Sequence, residues 1–469
     1  MSTFFIHQFG CRATQADGAA IERQLLEQGC SPAADSSAAD VVVLNTCTVT
    51  AAADTQARDA IRKIHAANPS TRILVTGCYA QRAPEELAAF PGVSYVVGNS
   101  HKPQIPMLVR SISPASENQI VPVDLARPAR STQDIFPHHI SPILIGNIFE
   151  LTDVLVAPVL GGEGNHTRPT LKIQDGCSSR CSFCVIPFVR GKSRSLPPQT
   201  VLSEIQRLAG SGFREIVLSG INLGTYGRDL TPRVEFLDLL RRILDETSVQ
   251  RLRISSIEPL DVTQDLIDFF ASTARIAPHF HMPLQSASDR ILAAMHRWYR
   301  AEHYARRIEL IHDRLPNAAV GADVITGFPG ESETDHAATL AFIEARPFTY
   351  LHVFSFSQRP GTKAAALSHQ LPGHIIKRRA RELRSLADSK SAAFRDSQLG
   401  RTLRVLTLRR DPASDPFSTP ALSENYLQVH LPALLPPNEF VDATITQAVD
   451  KHLLAMPLES LSLAVSGAL

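Results

Sequence analysis

Short apolar runs alternate with amphipathic stretches over the first hundred residues. Residues 4–8, 41–44, 73–76 and 93–97 are compact apolar runs of strand length, while 17–28 and 54–67 repeat at helical spacing, the second stopped by Asn68-Pro69. That alternation predicts a parallel, doubly wound sheet. The same pattern resumes with apolar runs at 171–174, 215–219, 252–256, 279–282, 320–326 and 351–356, and helical periods between them at 201–208, 236–244 and 302–311. Six such units predict a partial β/α barrel with its chemistry at the carboxyl ends of the strands. A charged helical stretch, 373–395, then leads to 402–408, 426–431, 440–449 and 453–456, which alternate like short strands and predict a small antiparallel barrel. Residues 101–168, rich in Pro, Ser and His, show weak periodicity and read as a connecting region, with an insertion over 134–168. The expected organisation is an α/β chain: 1–100, a doubly wound domain; 101–168, the connection; 169–392, the partial barrel; 393–469, the small β-barrel.

Composition narrows the picture. Hydrophobic residues at 44% permit sizeable cores, and a formal charge of +1 gives no global basic field, so any nucleic-acid contact must be local. The amino terminus lacks the basic start and long apolar core of an export signal, and no run approaches the ~18 apolar residues of a membrane span. We therefore expect a cytoplasmic protein with no membrane partner. Seven cysteines in that setting indicate metal use rather than disulfides.

Cys177, Cys181 and Cys184 carry most of the chemistry. Their spacing is C-x3-C-x2-C, on a loop after an apolar run. Three thiolates this close suit three irons of a 4Fe–4S cube and leave the fourth iron open, as catalytic sites do and structural sites do not. A zinc site would want a fourth His or Cys at regular spacing, and a disulfide would leave one thiol over. Cys11, Cys47 and Cys78 each follow one of the first three apolar runs. In a parallel sheet those ends lie along one edge, where ligands bind, so the three thiols converge there or are ordinary buried cysteines. Cys30 follows a helix and a glycine and reads as an ordinary thiol.

The cysteine triplet resembles the signature of the radical S-adenosylmethionine (SAM) enzymes, and nearly the whole chain resembles their methylthiotransferase family. The motifs are Phe-Gly-Cys-Arg (9–12), Leu-Asn-Thr-Cys-Thr-Val-Thr (44–50), Thr-Gly-Cys-Tyr-Ala-Gln (76–81), Ile-Gln-Asp-Gly-Cys (173–177) through Arg190-Gly191, Leu-Ser-Gly-Ile-Asn-Leu-Gly-Thr-Tyr-Gly (218–227), Ser-Ser-Ile-Glu-Pro (255–259), His-Met-Pro-Leu-Gln-Ser (281–286) and Asp-Val-Ile-Thr-Gly-Phe-Pro-Gly-Glu (323–331). Ser-Glu-Asn-Tyr-Leu-Gln-Val (423–429) resembles a TRAM domain, the family's RNA-binding barrel. Thr14, Ala287 and Gln358 depart from frequent family residues without removing a cysteine.

The resemblance implies two 4Fe–4S clusters, on Cys177, Cys181 and Cys184 and on Cys11, Cys47 and Cys78, with SAM as co-substrate. It also implies tRNA as partner, at position 37 of the anticodon loop, and an electron donor such as a flavodoxin or ferredoxin; a monomer is expected. Among the family's substrates the motifs look most like the branch acting on N6-threonylcarbamoyladenosine, ahead of those acting on isopentenyladenosine or on an aspartate of a ribosomal protein. An iron–sulfur electron-transfer or redox-sensing protein is the competing class. The adenine C2–H is not acidic, so radical chemistry suits it where a general base does not. Gly220, Ser255, Glu258, Gln285 and Asp323 stand near predicted strand ends and are expected to line the SAM or base pocket. His279 and His281 read as structural. Arg190, Lys192 and Arg194, the run Lys377, Arg378, Arg379, Arg381 and Arg384, and Tyr426 are candidate RNA contacts.

Overall fold

A computed structural model describes residues 2–112, 141–159, 167–411, 415 and 417–458. The first sheet contains β1 (Thr3–Gln8), β2 (Val41–Thr46), β3 (Arg72–Gly77) and β4 (Val93–Val97), all paired in parallel, with Ser31–Pro32 and Ile143–Leu144 at its edges. Every residue of β2 is buried, as expected of a central strand covered on both faces. Helix α1 (Arg12–Glu27) places Ile21 and Leu25 against Val41, Val43 and Leu74; helix α2 (Ala51–Ala67) places Ile61 and Ile64 against Val42, Leu44 and Val75 on the other face. The Thr50 side chain caps α2 by accepting the Ala53 N–H at 3.2 Å. Helix α1 begins five residues before the predicted Asp17. Its first turns bury Ala13 and Ala16, whose small side chains gave no apolar stripe to read.

The connecting region is divided between its neighbours. Ahead of it, within the first domain, helix α3 (Cys78–Arg82) opens straight from β3; inside it, α4 (Ile105–Ile112) packs Ile105, Leu108 and Val109 under the first sheet. Pro158–Val159 pairs antiparallel with the first barrel strand. Of the insertion, 134–140 and 160–166 lie outside the described residues.

The central strands are β5 (Thr170–Lys172), β6 (Glu215–Ser219), β7 (Arg251–Ile254), β8 (His279–His281), β9 (Ala319–Thr326) and β10 (Tyr350–Ser355). They run parallel in that order, with the bridges Leu252 to Ile276 and Ser256 to His281 joining the two halves into the expected partial barrel. Helix α5 (Ile186–Arg190) follows the cysteine loop, and α6 (Gly373–Asp396) leads to the last domain. There β11 (Thr402–Thr407), β12 (Thr419–Ser423), β13 (Gln428–Leu431), β14 (Phe440–Val449) and β15 (His452–Pro457) close into a barrel. It departs from a purely antiparallel barrel, since β13 and β15 close the ring in parallel. The sequence did not mark β12, whose Thr-Pro-Ala-Leu-Ser has no alternation, yet it pairs on both sides.

Two buried ionic joints hold these parts in place. At the first, Asp17 of α1 meets Lys102, Lys172 and Arg190, while Asp175 takes Lys172 at 2.9 Å and Arg190 at 2.9 Å. This joint ties the first sheet to the barrel. Burial raises the Asp17 carboxyl, but the Arg190, Lys102 and Lys172 charges outweigh it and hold it well below the usual range. At the second, fully buried Glu215 accepts from Arg253 at 2.8 Å, Arg251 at 2.5 Å and Arg168 at 3.0 Å. The same arginines reach the last barrel, Arg251 donating to Arg404 O and Arg253 to Ser423 O. Removing either carboxylate strands buried cations. Asp17→Ala and Glu215→Ala are each expected to cost on the order of 3–5 kcal/mol. Calorimetry of the intact chain should show the first sheet melting earlier in Asp17→Ala and the last barrel melting earlier in Glu215→Ala.

Candidate functional site

The second cysteine set converges. Cys11, Cys47 and Cys78 stand at the carboxyl ends of β1, β2 and β3, which the parallel registry brings to one edge. Glycines make the approach possible. A Cβ on Gly10 would lie 2.7 Å from the Cys47 Sγ, and one on Gly77, at φ +100°, would lie 2.3 Å from Thr46 O. The hydrogen bond from Cys47 holds the Cys11 thiol well below its usual value, with Arg190 and Thr14 adding to it, and the same contact pushes Cys47 up. Asn99 Nδ2 faces Cys78 Sγ at 3.7 Å and donates to Val189 O at 2.6 Å. Cys30 sits in the core under the first sheet, as an ordinary thiol.

Cys177, Cys181 and Cys184 lie on the loop after β5. Gly176 (φ +70°) shapes its start, where any Cβ would come within 2.0 Å of Lys192 O. Ser182 ties the loop across the barrel, its N–H donating to Met295 O and its hydroxyl to Ala294 O. Burial pushes up the thiols of Cys181 and of Cys184, the latter to about 12, while Arg297, donating to Cys181 Sγ at 3.4 Å, opposes the rise at Cys181. The two sets are close neighbours: Cys78 packs directly on Val185 and Val189, at and within α5, the helix that begins two residues after Cys184.

Each donor set offers three thiols, the number that three irons of a 4Fe–4S cube take while the fourth stays open. Among the described residues, one further group of metal-type ligands lies within 4.8 Å of one another, His281, Asp323 and His352.

Of the cavities that flank the cysteine loop, two hold expected pocket residues. One, about 210 Å³, is walled by Val49 and Thr50 of the first domain and by Cys184, Gln285, Asp323 and Phe356. The other, about 360 Å³, is lined by Cys181, Asn222, Glu258, Arg297 and Trp298 among others. Gln285 and Asp323 thus meet at one cavity, with the Gln285 N–H donating to Asp323 O at 2.8 Å, and Glu258 pairs with Arg297 in the other. Gly220 and Ser255 close the neighbouring ends of β6 and β7 and line neither. Gln285 holds φ +62°, and its Oε1 is buried without a partner, so the position is strained and short of a donor.

His279 and His281 are engaged, as expected, both on the Tyr350 hydroxyl at 2.7 and 2.9 Å; His281 Nε2 also meets Asp323 at 3.0 Å, and His352 meets the same oxygen at 3.3 Å. Sequence reasoning missed Tyr350 and His352, although Tyr350, His352 and Phe354 alternate along β10 as His279 and His281 do along β8. It also missed Arg297 and Asn99.

Several candidate RNA contacts fail. Arg190 and Arg194 are buried in the ion network and cannot meet phosphates, whereas Lys192 between them is exposed. Arg379 is buried on Glu331, and Arg378 pairs with Glu333. Lys377, Arg381 and Arg384 are exposed. Tyr426 packs on His279 at 4.4 Å between ring centres, with Arg253 over its face, so it seats the last barrel on the central one. No helix among the described residues is long and apolar enough to cross a membrane.

Comparison with known proteins places this geometry. Residues 3–98 match a family model described as uncharacterized protein family UPF0004, and 171–343 match the radical SAM superfamily. The chain is 35% identical to the threonylcarbamoyladenosine tRNA methylthiotransferase MtaB of Aquifex aeolicus over 90% of its length and 94% of that protein. It is 34% identical to the tRNA-2-methylthio-N(6)-dimethylallyladenosine synthase of Paenarthrobacter aurescens over 97% of its length and 85% of the relative. Among solved structures, the radical S-adenosylmethionine methyltransferase TsrM of Kitasatospora setae shares the fold at a TM-score of 0.52 and 17% identity, over 78% of this chain and 77% of that one. Likeness of this degree across nine-tenths of the sequence means that the chain belongs to the radical S-adenosylmethionine methylthiotransferase family.

Proposed function

We propose that this protein methylthiolates C2 of N6-threonylcarbamoyladenosine at position 37 of tRNA. The observation that carries the reading is the convergence of two three-thiol sets at one short helix, α5, on which Cys78 packs and which begins two residues after Cys184, each set at the carboxyl ends of a parallel sheet. Relatives named for threonylcarbamoyladenosine, at 35% and 36% identity, favour this substrate. The relatives named for dimethylallyladenosine keep isopentenyladenosine as the second reading.

In this reading Cys177, Cys181 and Cys184 hold one 4Fe–4S cluster and Cys11, Cys47 and Cys78 another, each leaving one iron for an exogenous ligand. When bound, these clusters and SAM supply a carbon radical and a transferable methylthio group. The rest falls to the protein. Arg297, paired with Glu258, donates to Cys181 Sγ and opposes the rise that burial gives its thiol, and Asn99 holds Cys78 against α5. Val49 and Phe356 give the cavity between the domains apolar walls, and Gln285 and Asp323 present polar groups there to the bound molecule. Gly220 and Ser255 shape the adjoining strand ends. Lys192, exposed beside the site, meets phosphate.

Mass spectrometry of tRNA nucleosides from a host lacking its own threonylcarbamoyladenosine methylthiotransferase, with and without this chain, tests the substrate. The expected product is 2-methylthio-N6-threonylcarbamoyladenosine. Its absence, with iron bound and SAM cleaved, would move the substrate to isopentenyladenosine or the ribosomal protein. Cys177→Ala is expected to lose 5′-deoxyadenosine formation and product together. Cys47→Ala is expected to keep 5′-deoxyadenosine formation and lose the product; loss of both would remove the division of labour between the two thiol sets.

A further inference from the structure

Trp298 is the only tryptophan of the chain and is 79% exposed. Single exposed apolar residues are ordinary on protein surfaces. This one differs in being held in place. On its amino side, Arg297 donates its N–H to Leu292 O and its guanidinium to Cys181 Sγ. On its carboxyl side, the buried Tyr299 hydroxyl sits 2.7 Å from Pro283 O and 2.8 Å from Leu284 O. The turn is also laced to the cysteine loop, through Ser182 and through His296, which meets Arg180 O at 3.2 Å. The backbone is fixed on both sides while the indole stands in solvent over the mouth of the cavity that Cys181 and Glu258 line. Its face contributes little to folding.

The surroundings select a partner. The carboxylates near the indole are engaged: Glu258 with Arg297 and Asp261 with Arg228. Arg180 and Lys363, which share a groove on the other flank of the loop with Phe188, are exposed, and their charged groups have no partner among the described residues. Phe188 is itself 46% exposed. Open aromatic faces on both flanks of the loop, with free cations beside one of them, match single-stranded nucleic acid, whose bases stack on rings while phosphates take the cations.

We propose that Trp298 is a stacking platform for an unpaired anticodon-loop nucleotide flanking the adenosine that is modified. This rests on the tRNA reading and assigns the step that reading lacks, how the loop is opened and held beside the cysteine loop. With the backbone fixed, only the two side-chain torsions of the indole settle when a base stacks on it, so the contact favours affinity over turnover.

The single tryptophan reports on itself. Its emission is followed as an anticodon stem–loop RNA is added to the full chain, while anisotropy of the labelled RNA independently measures binding. Quenching should track the anisotropy curve. Trp298→Ala should weaken RNA binding roughly 5- to 150-fold, and Trp298→Phe should recover most of it. RNA binding with unchanged emission, or equal affinity in Trp298→Ala, would overturn the proposal and leave the tRNA reading standing. No RNA binding by anisotropy would overturn both. Quenching by a flavodoxin in place of RNA would reassign the surface to the electron donor.

Discussion

Everything around the cysteines depends on the buried network of Asp17, Asp175, Lys102, Lys172 and Arg190. Arg190 is the last residue of α5, the helix on which Cys78 packs, and it takes carboxylates from two domains: Asp17 from α1 of the first and Asp175 from the barrel. Such a network is poor evidence for net stability, because desolvating five charges offsets most of their attraction. It is strong evidence for fixed position. None of the cations can leave Asp17 without remaining buried and short of charge, so the first sheet cannot slide on the barrel by a fraction of a turn. The contact of Cys78 with Val185 and Val189 holds because this joint holds.

The network also sets the electrostatics of the thiols. Arg190 lowers Cys11, while Cys11 and Cys78 help to keep Arg190 charged. Negative charge on these thiols therefore faces a cation already held in place by two carboxylates. At the other end, the last barrel seats on Arg251 and Arg253 through backbone carbonyls and on His279 through Tyr426, covering the amino ends of β7 and β8. The cavities lie at the carboxyl ends, on the side that stays open.

Features written in local spacing were legible in the sequence. The thiols at 177, 181 and 184, the strand-end placement of Cys11, Cys47 and Cys78, the six central strands and the doubly wound sheet all follow from periods of two and 3.6 and from short motifs. Long-range charge pairing left no such trace. Arg190 and Arg194 looked like phosphate ligands because they follow the cysteine loop, and only the fold brings Asp17, more than 170 residues away in sequence, onto Arg190. The group of His281, Asp323 and His352 escaped for the same reason: β8, β9 and β10 each supply one residue. Strand β12 escaped because its partners, not its pattern, make it a strand.

The proposed RNA substrate is less paradoxical for a near-neutral chain once its charges are sorted by partner. Of the basic run on α6, Arg378 and Arg379 are engaged by Glu331 and Glu333, and the barrel arginines by Glu215. These cations cancel in the net charge and cancel again in space, so they present no field to a phosphate. Arg180, Lys192 and Lys363 remain exposed around the cysteine loop. A polyanion feels charges that are free within about a Debye length, roughly 8 Å in physiological salt, and not the sum over the chain. A few unpaired cations around an open aromatic surface can therefore position a loop where a formal charge of +1 predicts no attraction.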